Sequence, residues 1–430
     1  MVYSFIVTIA LAMGLMLSSE SLGLLGNNIG IAGIPFFASI LIAVIVHVST
    51  ALRYGELFAM FPGAKGEAQF MQKALGSVPA IVFPLCSRVV ITVCASTGML
   101  ATAGFVFNEV FIYWFPNFAF AFLLLGFLLV INLLGNRVSQ KFQVFFVIVA
   151  LSGLIFLSIA GLLGLENAPS TIKKVTPSLN IRIVLISLFL FIGFDLAGFA
   201  QGKNSPYPAG IVKPMVTGII LICLLFYLWG LVSIIYVQQD RLADTTIPYT
   251  LTAREIMGQD GRVVIGMVVL AGICSAVNAL FIAVSKMIAG MATLGLLPHF
   301  LGVCEKRAAI PLILLVTGIA VMIAVGMAGE PVLEVYLRAG LLFWLLNYTG
   351  VHLSALIVGI SYPNRSQSFR VPLVSVVAII ILSVGFVVLL CTDSESTLLL
   401  QFMLVVSVIV SFFGFIWVGL NRKKNLSVSR

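Results

Sequence analysis

Residues 3–32 read YSFIVTIALAMGLMLSSESLGLLGNNIGIA, an apolar run interrupted at its middle by Ser18-Ser19-Glu20-Ser21, between Gly14 and Gly23. A helix needs about 20 apolar residues to cross a bilayer, so the run is long enough to span. Four consecutive polar side chains at its centre would be costly against lipid. Irregular backbone at that depth is tolerated only where protein buries it or a water-filled cavity borders it. The stretch therefore predicts a broken helix beside a cavity. A second stretch repeats the pattern. Gly193-Phe194-Asp195-Leu196-Ala197-Gly198 sets a carboxylate between glycines inside another apolar run, 181–201. A charge at bilayer depth costs about 2.5–3.5 kcal/mol on insertion scales, so Glu20 and Asp195 read as functional groups.

The rest of the 430-residue chain is of the same kind. Hydrophobic residues make up 61% and charged residues 9%, with a mean hydropathy of +1.18. A soluble domain carries about 25% charged residues. So few charges cannot cover a soluble surface of this size, which excludes a cytosolic enzyme, a nucleic-acid binder and a disordered chain. Twelve apolar runs follow one another: 3–32, 36–61, 79–107, 117–134, 141–164, 181–201, 212–237, 262–292, 309–328, 332–360, 371–392 and 397–420. The expected fold is an all-α polytopic membrane protein with twelve transmembrane helices, a single domain over residues 1–430. The connections 165–180 and 238–261 are the longest and are too short for a separate soluble domain. The broken runs are the first and sixth. That spacing is what two inverted five-helix repeats with broken lead helices would show. Repeat one then covers about 3–164, repeat two about 181–360, and two extra helices about 371–420.

The net charge is +9. Alternate loops hold Lys65, Lys73, Arg137, Lys141, Lys203, Lys213, Lys306, Arg307, Arg365 and Arg370, and only the acids Glu67 and Glu305. The opposite loops hold Glu109, Glu166, Asp240, Asp244, Glu255, Asp260, Glu330, Glu334, Asp393 and Glu395. The positive-inside bias puts both termini in the cytoplasm, on the cytoplasmic (inner) membrane, and an even span count agrees. The apolar N-terminus lacks a basic n-region and a cleavage site, so it reads as the first helix and not as a signal peptide. No cofactor is indicated. The six cysteines form no CxxC pair and no HExxH or Cys/His cluster suggests a metal site. No GxxxxGK[ST] loop points to nucleotide hydrolysis.

Other polar groups in the apolar runs read as structural. Arg53 and Glu56 are three apart near the inner end of the second run and are expected to pair with each other or with loop groups. Arg88 reads the same way. Lys286 is expected to snorkel or pair, and His47 and His352 to be core histidines.

Five motifs, in order, resemble the amino acid–polyamine–organocation permeases over nearly the whole chain. Tyr54-Gly55-Glu56-Leu57 with Phe61-Pro62 and then Gly63 and Gly66 is similar to the family's Y-x-E-L…F-P-x-x-G at the end of helix two. Asn132-Leu133-Leu134-Gly135 with Lys141 and Gln143 resembles its N-x-x-G…K-x-Q before helix five. Phe191-Ile192-Gly193-Phe194-Asp195 is similar to F-x-G-F-E on helix six. Asn278 with Ser285-Lys286 and Gly295-Leu296-Leu297-Pro298 resembles N…S-R…D-G-x-L-P around helix eight. Ser368-Phe369-Arg370-Val371-Pro372 is similar to P-F-R-V-P before helix eleven. The resemblance implies a LeuT-like 5+5 fold plus two helices. It implies secondary transport of amino acids or amines, with substrate between broken helices one and six.

On this match Ser18, Ser19 and Glu20 occupy the G-S-G stretch whose amides cradle a substrate carboxylate. Phe189 matches the gating aromatic, Ile192 and Gly193 the backbone near the substrate amine, and Asp195 the acid just beyond. Ser21 extends the polar run. Two positions depart from the pattern. Glu20 stands where the third glycine is expected, and Val147–Leu151 lacks the helix-five lysine of many members. An ionised Glu20 4 Å from a substrate carboxylate would repel it by about 4 kcal/mol at an effective dielectric of 20. Either Glu20 carries a proton when an amino acid binds, or the substrate is a cationic amine without a carboxylate there. Glu20 and Asp195 are accordingly the proton-coupling candidates. The expected function is secondary active transport of an amino acid or related organic amine by alternating access, driven by a proton gradient or by exchange. The expected partners are a small-molecule substrate, protons and the lipid bilayer, with no nucleic acid and no metal. The alternatives are an amine or polyamine carrier and a non-transporting nutrient sensor.

Overall fold

A computed structural model describes residues 2–61, 66–164, 180–200, 209–302, 309–361 and 372–428. Over these residues the chain is helical, with no strand. The connection 165–179, Pro62-Gly63, Lys65, Lys203, Glu305 to Arg307, Arg365 and Ser368 to Val371 lie outside the described residues. The helices are α1 (Val2–Gly14), α2 (Ser19–Ala32), α3 (Phe36–Met60), α4 (Glu67–Leu75), α5 (Ser77–Pro84), α6 (Val90–Val110), α7 (Asn117–Leu133), α8 (Asn136–Leu163), α9 (Ile181–Ile186), α10 (Val212–Tyr236), α11 (Gln239–Asp244), α12 (Pro248–Thr293), α13 (Ala309–Ala324), α14 (Val332–Ser361), α15 (Pro372–Cys391) and α16 (Ser396–Val428).

Among the described residues, nine helical segments are long and apolar enough to cross a membrane. The pair α1–α2 spans together with a 55° bend, and α7 and α13 are shorter apolar helices. α12 sits at the centre, with its span 89% buried, and α15 and α16 lie at the periphery, 28% and 17% buried. The peripheral pair are the two helices expected outside the repeats.

The connection 238–261 is more ordered than the loop its polar sequence suggested. It holds α11 and the first turns of α12, which begins at Pro248, and its only non-helical residues within α12 are Met257 and Gly258. Pro at the first helical position costs no hydrogen bond, because that N–H has no intrahelical partner anyway. α11 packs on the end of α2, where the Asn27 side-chain amide donates to the Thr245 carbonyl at 3.0 Å.

Both expected helix breaks are present. α1 stops at Gly14 and α2 starts at Ser19. The sixth run is α-helical only from Ile181 to Ile186 and then tightens to 3-10 turns over Ser187–Phe191 and Phe194–Ala200, with extended backbone at Ile192. Gly193 has φ +106°, and a Cβ there would lie 2.7 Å from the Leu15 Cβ. Glycine is therefore required where the two breaks meet.

Three motif residues distant in sequence converge behind the first break. The Asn278 amide donates to Gln143 Oε1 at 2.8 Å, and Asn132 donates to Asn278 Oδ1 at 2.8 Å. Gln143 Nε2 then donates to the Ala10 carbonyl at 3.0 Å, tying α8 to α1 one turn before the break.

Candidate functional site

The first break is organised by its own serines. Ser18 caps α2, its hydroxyl oxygen accepting the Ser21 N–H at 3.3 Å. The Ser21 hydroxyl donates to the Leu15 carbonyl at 3.5 Å. The Ser19 hydroxyl donates to Glu20 Oε2 at 3.0 Å. Ser18 and Ser19 are buried, whereas Glu20 and Ser21 are half-buried. A carboxylate in the first turn of a helix interacts favourably with the helix dipole.

A cavity of about 270 Å³ opens beside this turn. Its walls are Leu15, Ser18, Glu20, Ser21 and Leu24 from the first break, Ile91, Ala95 and Met99 from α6, Ile186, Phe189 and Ile192 from the sixth run, and Leu337, Leu341 and Leu342 from α14. Arg182, Arg338 and Asp393 also line it. Of the residues singled out in the sequence, Ser18, Glu20, Ser21, Phe189 and Ile192 line the cavity. Ser19, Gly193 and Asp195 do not. Ser19 supports Glu20 from behind, and Gly193 provides the close backbone contact with Leu15.

Asp195 faces the protein interior, into a buried charge cluster. Arg88 ion-pairs with Asp195 Oδ2, and it grips Glu67 with two bonds, Nε to Oε1 at 3.0 Å and Nη2 to Oε2 at 2.8 Å. Tyr54 and Asn347 donate to Glu67 at 2.5 and 3.0 Å. Tyr348 and Trp344 donate to Asp195 Oδ1 at 2.6 and 3.3 Å. The guanidinium also stacks 4.2 Å over the Trp344 ring. Arg88, Glu67 and Asp195 are each 1% exposed or less, so none is screened by water. The cluster holds one guanidinium and two carboxyl groups, and it is neutral only when it also holds one proton.

Local sequence explains how these groups meet. Pro84 cannot continue the regular helical bonding of its neighbours. A wide π turn follows over Leu85–Val89, and Arg88 sits on it. Trp344, Asn347 and Tyr348 are spaced i, i+3, i+4 on α14 and so share one face. The Gly193 N–H points at the Tyr348 hydroxyl oxygen at 3.5 Å, which links the second break to the cluster.

The sequence reading missed Glu67, Tyr54, Trp344, Asn347 and Tyr348 and placed Arg88 with structural pairs. Two signals were available. Arg88 is a full charge inside an apolar run, the criterion that selected Asp195. Glu67 is one of two acids among otherwise basic loops. The remaining polar groups behave as read. Arg53 ion-pairs with Glu56. His352 meets Thr50 at 3.0 Å in the core. Lys286 Nζ donates to the Phe199 carbonyl at 3.3 Å, at the end of the sixth run. Among the described residues no group of three or more His, Cys, Asp and Glu side chains is arranged to hold a metal ion.

A family model described as amino acid permease matches residues 3–417. Among solved structures, the manganese transporter of Eremococcus coleocola in complex with an aromatic bis-isothiourea substituted compound is similar, with a TM-score of 0.59 and 13% identity, over 100% of this chain and 95% of that one. A histidine-to-alanine mutant of that transporter is similar with a TM-score of 0.56 and 13% identity, over 100% of this chain and 94% of that one. At such identity the likeness is one of fold. No curated protein matches the chain by sequence.

Proposed function

The chain belongs to the amino acid permease family, and from that membership we propose that it is a secondary active transporter of amino acids or related organic amines, working by alternating access across the cytoplasmic membrane. The observation that carries this reading is the cavity at the paired helix breaks, with Glu20 facing into it and Ser18, Ser21 and Ile192 beside it. Bare helix ends offer a polar substrate hydrogen bonds that lipid-facing helix cannot. Phe189, in the same wall, is positioned to act as the gate.

In this reading all twelve apolar segments span, α7 and α13 included, as two five-helix repeats with α15 and α16 added in one membrane domain, and both termini are cytoplasmic. The cavity lining includes Arg182, Arg338 and Asp393, near the start of α9, the start of α14 and the end of α15, which loop charge makes external. The conformer is then outward-facing. The Arg88 cluster lies behind the breaks and closes the inner route. Coupling uses a proton, carried by Glu20 in the cavity or by the surplus carboxyl of the Arg88–Glu67–Asp195 cluster. Asp195 acts from that cluster, with Ser19 and Gly193 as positioning residues.

Flux in liposomes tests the proposal. Vesicles holding the purified protein should exchange an internal amino acid or amine for the labelled compound outside, faster than empty vesicles. A folded protein that exchanges none of them refutes it.

A further inference from the structure

Two motif residues that play no part in the cavity, Lys286 and Gly66, both touch Phe199. The Lys286 ammonium donates to the Phe199 carbonyl at 3.3 Å. A Cβ at Gly66 would lie 2.6 Å from Phe199 Cε1, so the ring is seated directly on the glycine. Gly66 also has φ +117°, a backbone that residues with a side chain rarely adopt.

Phe199 lies near the end of the inner half of the sixth run, Phe194–Ala200. The last carbonyls of a helix have no partner within it and carry the negative end of its dipole, which suits a cation. Because Lys286 bonds a main-chain carbonyl, it fixes the backbone of that half to α12, the central helix. The other end of the same half is held by the ion pair of Asp195 with Arg88. Residues 66 and 67 join the two holds. Gly66 receives the Phe199 ring, and Glu67 receives the Arg88 guanidinium. The outer half of the run lines the cavity through Ile186 and Phe189, and Gly193, at φ +106°, lies between the halves. The inner half can leave its place only when both holds release.

We propose, resting on the transporter reading above, that Lys286 and Gly66 form the second hold of the inner gate, beside the Arg88 cluster. Lys286 is a positioning residue that sets how often the inner half of the sixth run opens.

Reactivity of two introduced cysteines tests this. Met215 on α10 reports on the inner half: it is fully buried, and its Cε lies 3.8 Å from where a Gly198 Cβ would stand. Leu24 reports on the cavity. Met215→Cys and Leu24→Cys are made separately in the full chain carrying Cys304→Ser and Cys391→Ser, and the same chain without a reporter gives the blank. The rate of modification by a water-soluble methanethiosulfonate is measured on the purified protein in detergent. With Lys286→Met, Met215→Cys should react at least about tenfold faster, the factor that loss of one hydrogen bond from a charged group gives. Leu24→Cys should react no faster. Gly66→Ala should act in the same direction, and Lys286→Arg, which keeps the charge, should retain the parental rates. An unchanged rate at Met215→Cys in Lys286→Met overturns the proposal. So does an equal acceleration of both reporters, which would mean general loosening, and so does Lys286→Arg behaving like Lys286→Met. Counterflow of a tritiated mixture of the twenty protein amino acids separates the two readings. Exchange with unaltered labelling removes the hold and leaves transport standing. The expected labelling in a protein that exchanges none of the mixture supports the hold and counts against transport.

Discussion

Replacing Arg88 by Met should destabilise the protein far more than replacing either of its partners. The guanidinium makes a two-bond pair with Glu67 at 2.8 and 3.0 Å and a second ion pair with Asp195, all within the fully buried core. A unit pair at 2.8 Å attracts by about 6 kcal/mol at an effective dielectric of 20. Burying each ion costs several kcal/mol, so the intact cluster is close to balanced. Removing Arg88 takes away both attractions and leaves two carboxyl groups facing each other without a cation. Breaking a buried pair in this way costs about 3–5 kcal/mol, a large share of the 5–15 kcal/mol that keeps a typical domain folded. Asp195→Asn is different. The amide oxygen still accepts from Tyr348 and Trp344, and Arg88 is left in a one-to-one pair with Glu67. The amide NH2 then takes the place of Oδ2 and faces the guanidinium as a second donor, so one charge-assisted bond is lost, at about 1.5–3 kcal/mol. Thermal unfolding of the two purified variants, followed by monodisperse recovery from detergent, gives the comparison. Equal melting temperatures for Arg88→Met and Asp195→Asn would show that the guanidinium does not neutralise the cluster, and would refute the reasoning.

Other consequences are open to simpler tests. Glu20→Gln keeps the size and hydrogen-bonding reach of the side chain but cannot ionise, so substrate uptake should lose its pH dependence; a profile like that of the parent removes Glu20 from coupling. Gly193→Ala should cost about 2–5 kcal/mol, combining left-handed backbone strain with a Cβ forced against Leu15, whereas Gly198→Ala, whose Cβ would stand 3.4 Å from Phe58, should be tolerated. Comparable melting temperatures for the two alanine variants would contradict the close contact of the breaks. Asn278→Ala takes the donor from the buried Gln143 Oε1 and one of two acceptors from the Asn132 amide, and should lower stability by about 1–3 kcal/mol in the same assay.

The helix breaks were legible because they are local contradictions: Ser18 to Ser21 and Gly193 to Gly198 cannot both span lipid and remain ordinary helix. The roles of the carboxylates were less legible. Both are acids between glycines in broken runs, and the sequence gives no reason to separate them. Tertiary structure turns Glu20 toward the cavity and Asp195 toward Arg88, because the backbone rotation at each break sets where the next side chain points.

The sequence by itself determined the class of molecule, the apolar segments and the two breaks. Transfer of side chains from water to lipid is summed residue by residue along a segment, so a chain with 61% hydrophobic and 9% charged residues declares its solvent before it folds. Only the tertiary structure decided which charges neutralise which. Coulomb attraction and hydrogen-bond satisfaction depend on distance in space, and Glu67, Arg88, Asp195 and Tyr348 come together only when α4, the turn before α6, the sixth run and α14 pack around one buried point.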